Sequence, residues 1–148
     1  MSEMVFDASF LVALIDEKDK WHEEAVGIMN EIVTKSIEGV IFDCVANETI
    51  TVIGRRLKGS RNEEYDEVME KAVPFISYER IMTVYQDVDD WYDRILNKVR
   101  ERKGKLSFHD VLIFEAALSL GIHQIVSFDE GFDGIEGVKR IKSREDVS

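Results

Sequence analysis

Apolar positions along the chain follow two rhythms. Short runs at residues 4–6 (MVF), 40–42 (VIF), 75–78 (FISY) and 124–127 (QIVS) have the length and composition of buried strands, and 138–141 (VKRI) reads as a last edge strand. Between them, longer stretches repeat with a helical period. These run over about 9–16, over 21–35 through Trp21, Ala25, Ile28, Met29, Ile32 and Val33, and over 46–57 through Ile50, Ile53 and Leu57. Further helices are predicted from Asn62 to about Val73, and through Arg100 along Trp91, Ile95 and Val99. The stretch from Val111 to Leu120 is almost entirely apolar, as a helix buried on most sides should be.

Punctuation agrees with this division. Ser107 followed three residues later by Asp110 has the form of a capping box, and Gly121 ends the apolar helix behind it. Ser9 and Asn62 are placed to cap helices, and Pro74 is expected to break one. Helices alternating with short buried strands predict an α/β fold of three layers, with a short parallel sheet covered on both faces. At 148 residues the chain fits one domain, 1–148, with 142–148 as a polar tail.

The chemistry enters with the acids. Asp7 follows the first strand, Glu48 lies early in the helix after the second, Asp110 opens a helix, and Asp129 stands just past a late strand. The C-terminal ends of parallel strands share one edge, so these carboxylates can meet although they are far apart in the chain. Crowded carboxylates repel and raise one another's pKa, a conflict that a divalent cation removes. Oxygen donors without a cysteine or histidine pair suit Mg2+ or Mn2+ and not zinc. One or two such ions would support phosphodiester hydrolysis with no protein nucleophile. Each acid also has a plainer reading: a first-turn acid favours the helix dipole, and Asp129 can be a turn residue. Asp7 is the hardest to explain that way, because apolar residues flank it on both sides.

Residues 5–14 (VFDASFLVAL), 47–56 (NETITVIGRR), 106–117 (LSFHDVLIFEAA) and 126–132 (VSFDEGF) resemble the four acidic motifs of PIN-domain ribonucleases, in order and spacing. The closest resemblance is to the small single-domain toxins of VapBC-type toxin–antitoxin pairs. It implies a Rossmann-like sheet and an Asp7, Glu48, Asp110 and Asp129 quartet around Mg2+ or Mn2+. It also implies an RNA substrate, an antitoxin partner and a homodimer. Ser9 and Ser127 match hydroxyl positions that would bond to carboxylates or metal-bound water, and Asp133 is a possible accessory. Two other readings compete: a PIN fold serving RNA processing or binding outside a toxin system, and a phosphoacceptor signalling domain. The second wants paired acids after the first strand and a strand-end lysine, whereas Asp7 stands alone before Ala8 and Ser9.

Charge changes the picture modestly. A net charge of −11 argues against a general nucleic-acid coat, though not against an enzyme that reaches phosphates through cations. Arg55, Arg56, Lys58 and Lys105 are the candidate RNA contacts, with helix-end cations as the alternative. Trp21 and Trp91 fit core or dimer contacts better than base stacking. The lone Cys44 fits a reducing compartment, no apolar run is long enough for a bilayer, and a cytoplasmic location is expected.

Overall fold

The strand that leads into Asp7 lies at the centre of the sheet. In the computed structural model, which describes residues 2–148, β1 (Glu3–Phe6) is flanked by β2 (Glu38–Phe42) and β4 (Gln124–Val126). The edges are β3 (Ile81–Met82) and β5 (Lys139–Ile141), giving the order β3-β2-β1-β4-β5. Every ladder is parallel, and Val5 pairs with Val40 on one side and Ile125 on the other. A strand covered on both faces needs apolar residues at successive positions, and Met4, Val5 and Phe6 are all buried. Gly39 in β2 has a packing reason, since a Cβ there would overlap the Phe6 ring.

Parallel neighbours require crossovers, and the helices supply them: α1 (Ala8–Ile15), α2 (His22–Thr34), α3 (Asp43–Leu57), α4 (Tyr65–Ile76), α5 (Val88–Glu101) and α6 (Phe108–Ser119). The predicted capping box opens α6: Asp110 N–H donates to Ser107 Oγ at 3.2 Å, and Ser107 N–H donates to Asp110 Oδ2 at 3.1 Å. Behind it Val111 to Ala117 are all buried, each large apolar side chain there contributing about 2 kcal/mol by leaving water. Glu115 is the polar exception, and Arg94 (3.0 Å) and Lys98 of α5 neutralise it. Gly121 takes φ +73° just past α6, the left-handed turn expected of it.

Several local expectations fail for identifiable reasons. Pro74 lies inside α4, which runs on to Ile76; it forgoes the bond to the Glu70 carbonyl, but both residues are exposed, so water can take that bond's place. The run 75–78 therefore makes no strand. The third strand is Ile81–Met82, pairing with Ile41 and Phe42. Asn62 belongs to a 3-10 turn (Asn62–Glu64) and makes no cap hydrogen bond. The α3 helix begins at Asp43, not Ala46, so Glu48 falls in its second turn. The Asp43 carboxylate accepts from Val84 N–H (3.0 Å) and Tyr85 N–H (3.2 Å), a tertiary role no local pattern announces. The polar tail is docked as well: Val147 is buried, and the Arg144 guanidinium lies against Gly27 of α2. Among the described residues no helix is long and apolar enough to cross a membrane.

Candidate functional site

The strand order reverses direction between β1 and β4, where the chain's crossovers leave on opposite sides. Open α/β sheets have their crevice at such a point, outside the carboxyl ends of the strands. Asp7 sits there because it ends β1 and serves as N-cap of α1, its N–H still donating to Val126 O at 3.0 Å. A cavity of about 210 Å³ opens beside it, lined by Asp7, Glu48, Asp110 and Asp129 together with Ser9, Val52 and Arg56. The four acids foreseen from spacing thus arrive at one place. Glu48 comes from the wall of α3, Asp110 from the start of α6 and Asp129 from the loop after β4.

Asp7 is 4% exposed and held by two hydroxyls. Ser127 donates to its Oδ2 at 2.7 Å and Ser9 donates to the same oxygen at 2.9 Å. Each serine has one hydroxyl proton, so their own 3.1 Å approach carries no further bond while both donate to Asp7. The hydroxyls also accept: Phe128 N–H reaches Ser9 at 3.0 Å and Asp129 N–H reaches Ser127 at 3.0 Å. Ser9 therefore does not cap α1, as its position suggested; it ties Asp7 to the loop after β4. Asp129 Oδ1 in turn accepts from Gly131 N–H at 2.8 Å.

The electrostatics are strained. Burial raises the Asp7 carboxyl above its ordinary pKa against the pull of the two hydroxyls. Burial likewise raises Asp110, against its capping-box bonds to Ser107 and with the help of the Asp129 charge. Glu48 is pushed up to about 7, first by burial and then by the charges of Asp7, Asp110 and Asp129. Arg56 is the cation lining this cavity, and it is shared outward with Asp19 at 2.6 Å and Asp16 at 3.4 Å. No lysine lines the cavity, which leaves the phosphoacceptor reading without the residue it needs.

The donor chemistry suits a hard cation. Among the described residues no three His, Cys, Asp or Glu side chains form a closed cage around one point. An ion held here would have to complete its shell with water, which hard cations such as Mg2+ or Mn2+ retain readily.

Other candidates lie elsewhere. Asp133 is paired with Arg140 at 2.7 and 2.9 Å and lines a separate cavity with Arg102 and Lys105. Arg55 and Lys58 are exposed and line neither space. A group missed from the sequence is the Asp16 network: this buried carboxylate accepts from Arg61 at 2.8 and 3.1 Å, which holds its pKa down at about 2. One signal was legible, since Glu48, Val52 and Arg56 are spaced four apart and so share one stripe of α3.

Gly131 fixes the loop that carries Asp129. A Cβ there would stand 2.7 Å from the Lys105 carbonyl and 3.1 Å from Asp129 Oδ1. Gly131→Ala is expected to displace Asp129, lowering any activity of the site about tenfold or more. A melting curve should also show a loss of about 1–3 kcal/mol. Unchanged melting and activity would mean the loop is slack.

The PIN domain family matches residues 4–138. No curated protein sequence matches the chain significantly. Among solved structures, VapC20 of Mycobacterium tuberculosis, a toxin that cleaves the sarcin-ricin loop, aligns with a TM-score of 0.63 at 22% identity. That alignment covers 86% of this chain and 90% of VapC20. VapBC2 of Rickettsia felis, solved bound to a DNA fragment from its promoter, aligns with a TM-score of 0.66 at 13% identity, covering 94% and 97%. With a matching profile over nearly its whole length, and with the parallel sheet and acidic motifs in place, the chain belongs to the PIN-domain family.

Proposed function

We propose that the chain is an endoribonuclease dependent on Mg2+ or Mn2+, acting as the toxin of a type II toxin–antitoxin pair. The observation that carries this reading is the convergence of Asp7, Glu48, Asp110 and Asp129 on one cavity at the sheet's switch point. One or two divalent ions bound there would neutralise phosphodiester oxygens and lower the pKa of the attacking water. Asp7, Asp110 and Asp129 are the carboxylates assigned to hold them, with Glu48 completing the set. Ser9 and Ser127 fix the orientation of Asp7 by holding Oδ2, and neither reaches Oδ1. Arg56, at the rim of the cavity, is placed to bind a phosphate of the substrate.

The fold is shared with a toxin that cleaves the sarcin-ricin loop and with the VapBC2 assembly, which supports an RNA substrate and a protein partner. Val73, Tyr78, Tyr92 and Leu96 are exposed, apolar surface suited to an antitoxin or a second copy of the chain. The test is direct: purified protein should cut single-stranded RNA with Mg2+ or Mn2+ and stop when EDTA is added. RNA left intact with either metal, or cut equally in EDTA, rejects the proposal.

A further inference from the structure

A second cavity, of about 410 Å³, adjoins the acidic one and shares Ser9, Arg56 and Asp129 with it. Its remaining lining includes Lys18, Lys20, Trp21 and Phe128. Trp21 is not a core residue: it is 44% exposed and stands in the N-cap position of α2. Its indole lies nearly parallel to the Phe128 ring, at 8° and 5.2 Å between centroids, and Lys20 Nζ lies 5.6 Å from the indole centroid. The loop carrying these residues is braced from below. Trp21 N–H donates to Asp19 Oδ1 at 2.8 Å, Lys18 N–H donates to Asp16 Oδ1 at 3.1 Å, and Arg56 clasps Asp19. Asp16 itself is clamped by Arg61, so its buried charge anchors the whole turn.

An exposed tryptophan, fixed by stacking on the half-buried Phe128 and bordered by Lys18, Lys20 and Arg56 as well as by Asp19 and Asp129, is an unusual surface for a chain of net charge −11. The indole face that Phe128 leaves free, over which Lys20 Nζ stands, suits a nucleobase once that flexible side chain swings to a phosphate beside it. Lys18 also pairs with Glu64 at 3.1 Å and Arg56 with Asp19 at 2.6 Å, so among these three Lys20 is the cation not held by a carboxylate of the described residues. We infer that this groove is a nucleotide subsite, holding the base and phosphate next to the phosphodiester that is cut. The inference rests on the nuclease reading for its direction, because the groove opens into the acidic cavity. It predicts a preference for single-stranded RNA, whose bases are free to leave their stack and lie on Trp21.

The experiment uses Trp91→Phe protein, in which Trp21 is the remaining tryptophan, in EDTA with a short single-stranded RNA. Trp21 emission should be quenched, and an abasic strand of equal length should quench it far less. Trp21→Ala should weaken RNA binding about ten- to a hundredfold, while Trp21→Phe, which keeps an aromatic face, stays within about threefold. With metal present, Trp21→Ala should raise KM for cleavage by a similar factor and leave kcat nearly unchanged. Should Trp21→Ala fail to fold, Trp21→Phe and the quenching comparison carry the test. Equal binding of the abasic strand, or an unchanged KM in folded Trp21→Ala protein, overturns the subsite and leaves the nuclease reading standing. A Trp21 signal that answers only to a protein partner overturns it also, marking the groove as that partner's contact. Quenching by RNA without any metal-dependent cleavage supports the groove and removes the nuclease reading instead.

Discussion

Asp7→Asn is expected to lower RNA cleavage by roughly a thousandfold while leaving the metal-free fold at least as stable as before. The two halves come from the same surroundings. Asp7 is buried at the end of the central strand, where burial opposes its charge, and its Oδ2 receives the Ser9 and Ser127 hydroxyls. An asparagine oxygen can accept the same two bonds at almost the same volume, so local packing is retained. What disappears is the negative charge that a divalent cation would need. Most core substitutions lower activity and stability together. Here activity should collapse while the melting temperature in EDTA holds, or rises above neutral pH. Cleavage within about tenfold of the unmodified chain would remove Asp7 from the site. Loss of activity accompanied by a large drop in melting temperature would point to simple damage.

The sequence revealed chemistry most clearly where local and tertiary demands coincide. Asp7 lies between two apolar runs, and the Ser107–Asp110 box is a local motif that also delivers Asp110 to the sheet edge. Glu48 was recognised but set one turn too early, because Asp43 starts α3 through bonds to Val84 and Tyr85 that lie 41 and 42 residues away. The two-residue β3 is too short to show any alternation, and its position depends on pairing with Ile41 and Phe42. Pro74 does not break its helix because the one carbonyl it leaves unpaired, that of Glu70, is on an exposed stretch where water can bond to it. Trp21 looked like core by its spacing, yet its run of charged neighbours from Asp16 to Lys20 marks a surface turn. What that turn does depends on Phe128, which the sequence places 107 positions away.

The same crowding of charge predicts how stability changes with pH. In the folded chain Glu48 is raised from 4.5 to about 7, while Asp7 and Asp110 shift in the same direction. A raised carboxyl binds its proton more tightly when folded than when unfolded. Below about pH 4.5 both states hold the proton and nothing is lost. Between 4.5 and 7 the unfolded chain has released it and the folded chain has not, so stability falls as pH rises. Glu48 is partly exposed and solvent screens its neighbours' charges, so it accounts for a loss of about 1–2 kcal/mol, and Asp7 and Asp110 add to it. Asp16 acts oppositely: its pKa, lowered from 3.8 to about 2, contributes stability that is fully present above 3.8 and is lost as pH falls through 2. Metal-free protein should therefore be most stable near pH 4 to 5, and its melting temperature should drop by about 5–10 °C on going to pH 8. Millimolar Mg2+ or Mn2+ should restore much of that at pH 8, because binding to the folded state alone stabilises it, and should do little at pH 5. In Asp7→Asn protein both the alkaline loss and the metal response should shrink. A melting temperature in EDTA that stays level or rises from pH 5 to 8 would show that these carboxylates do not strain the fold, and with that the physical case for a cation among them fails.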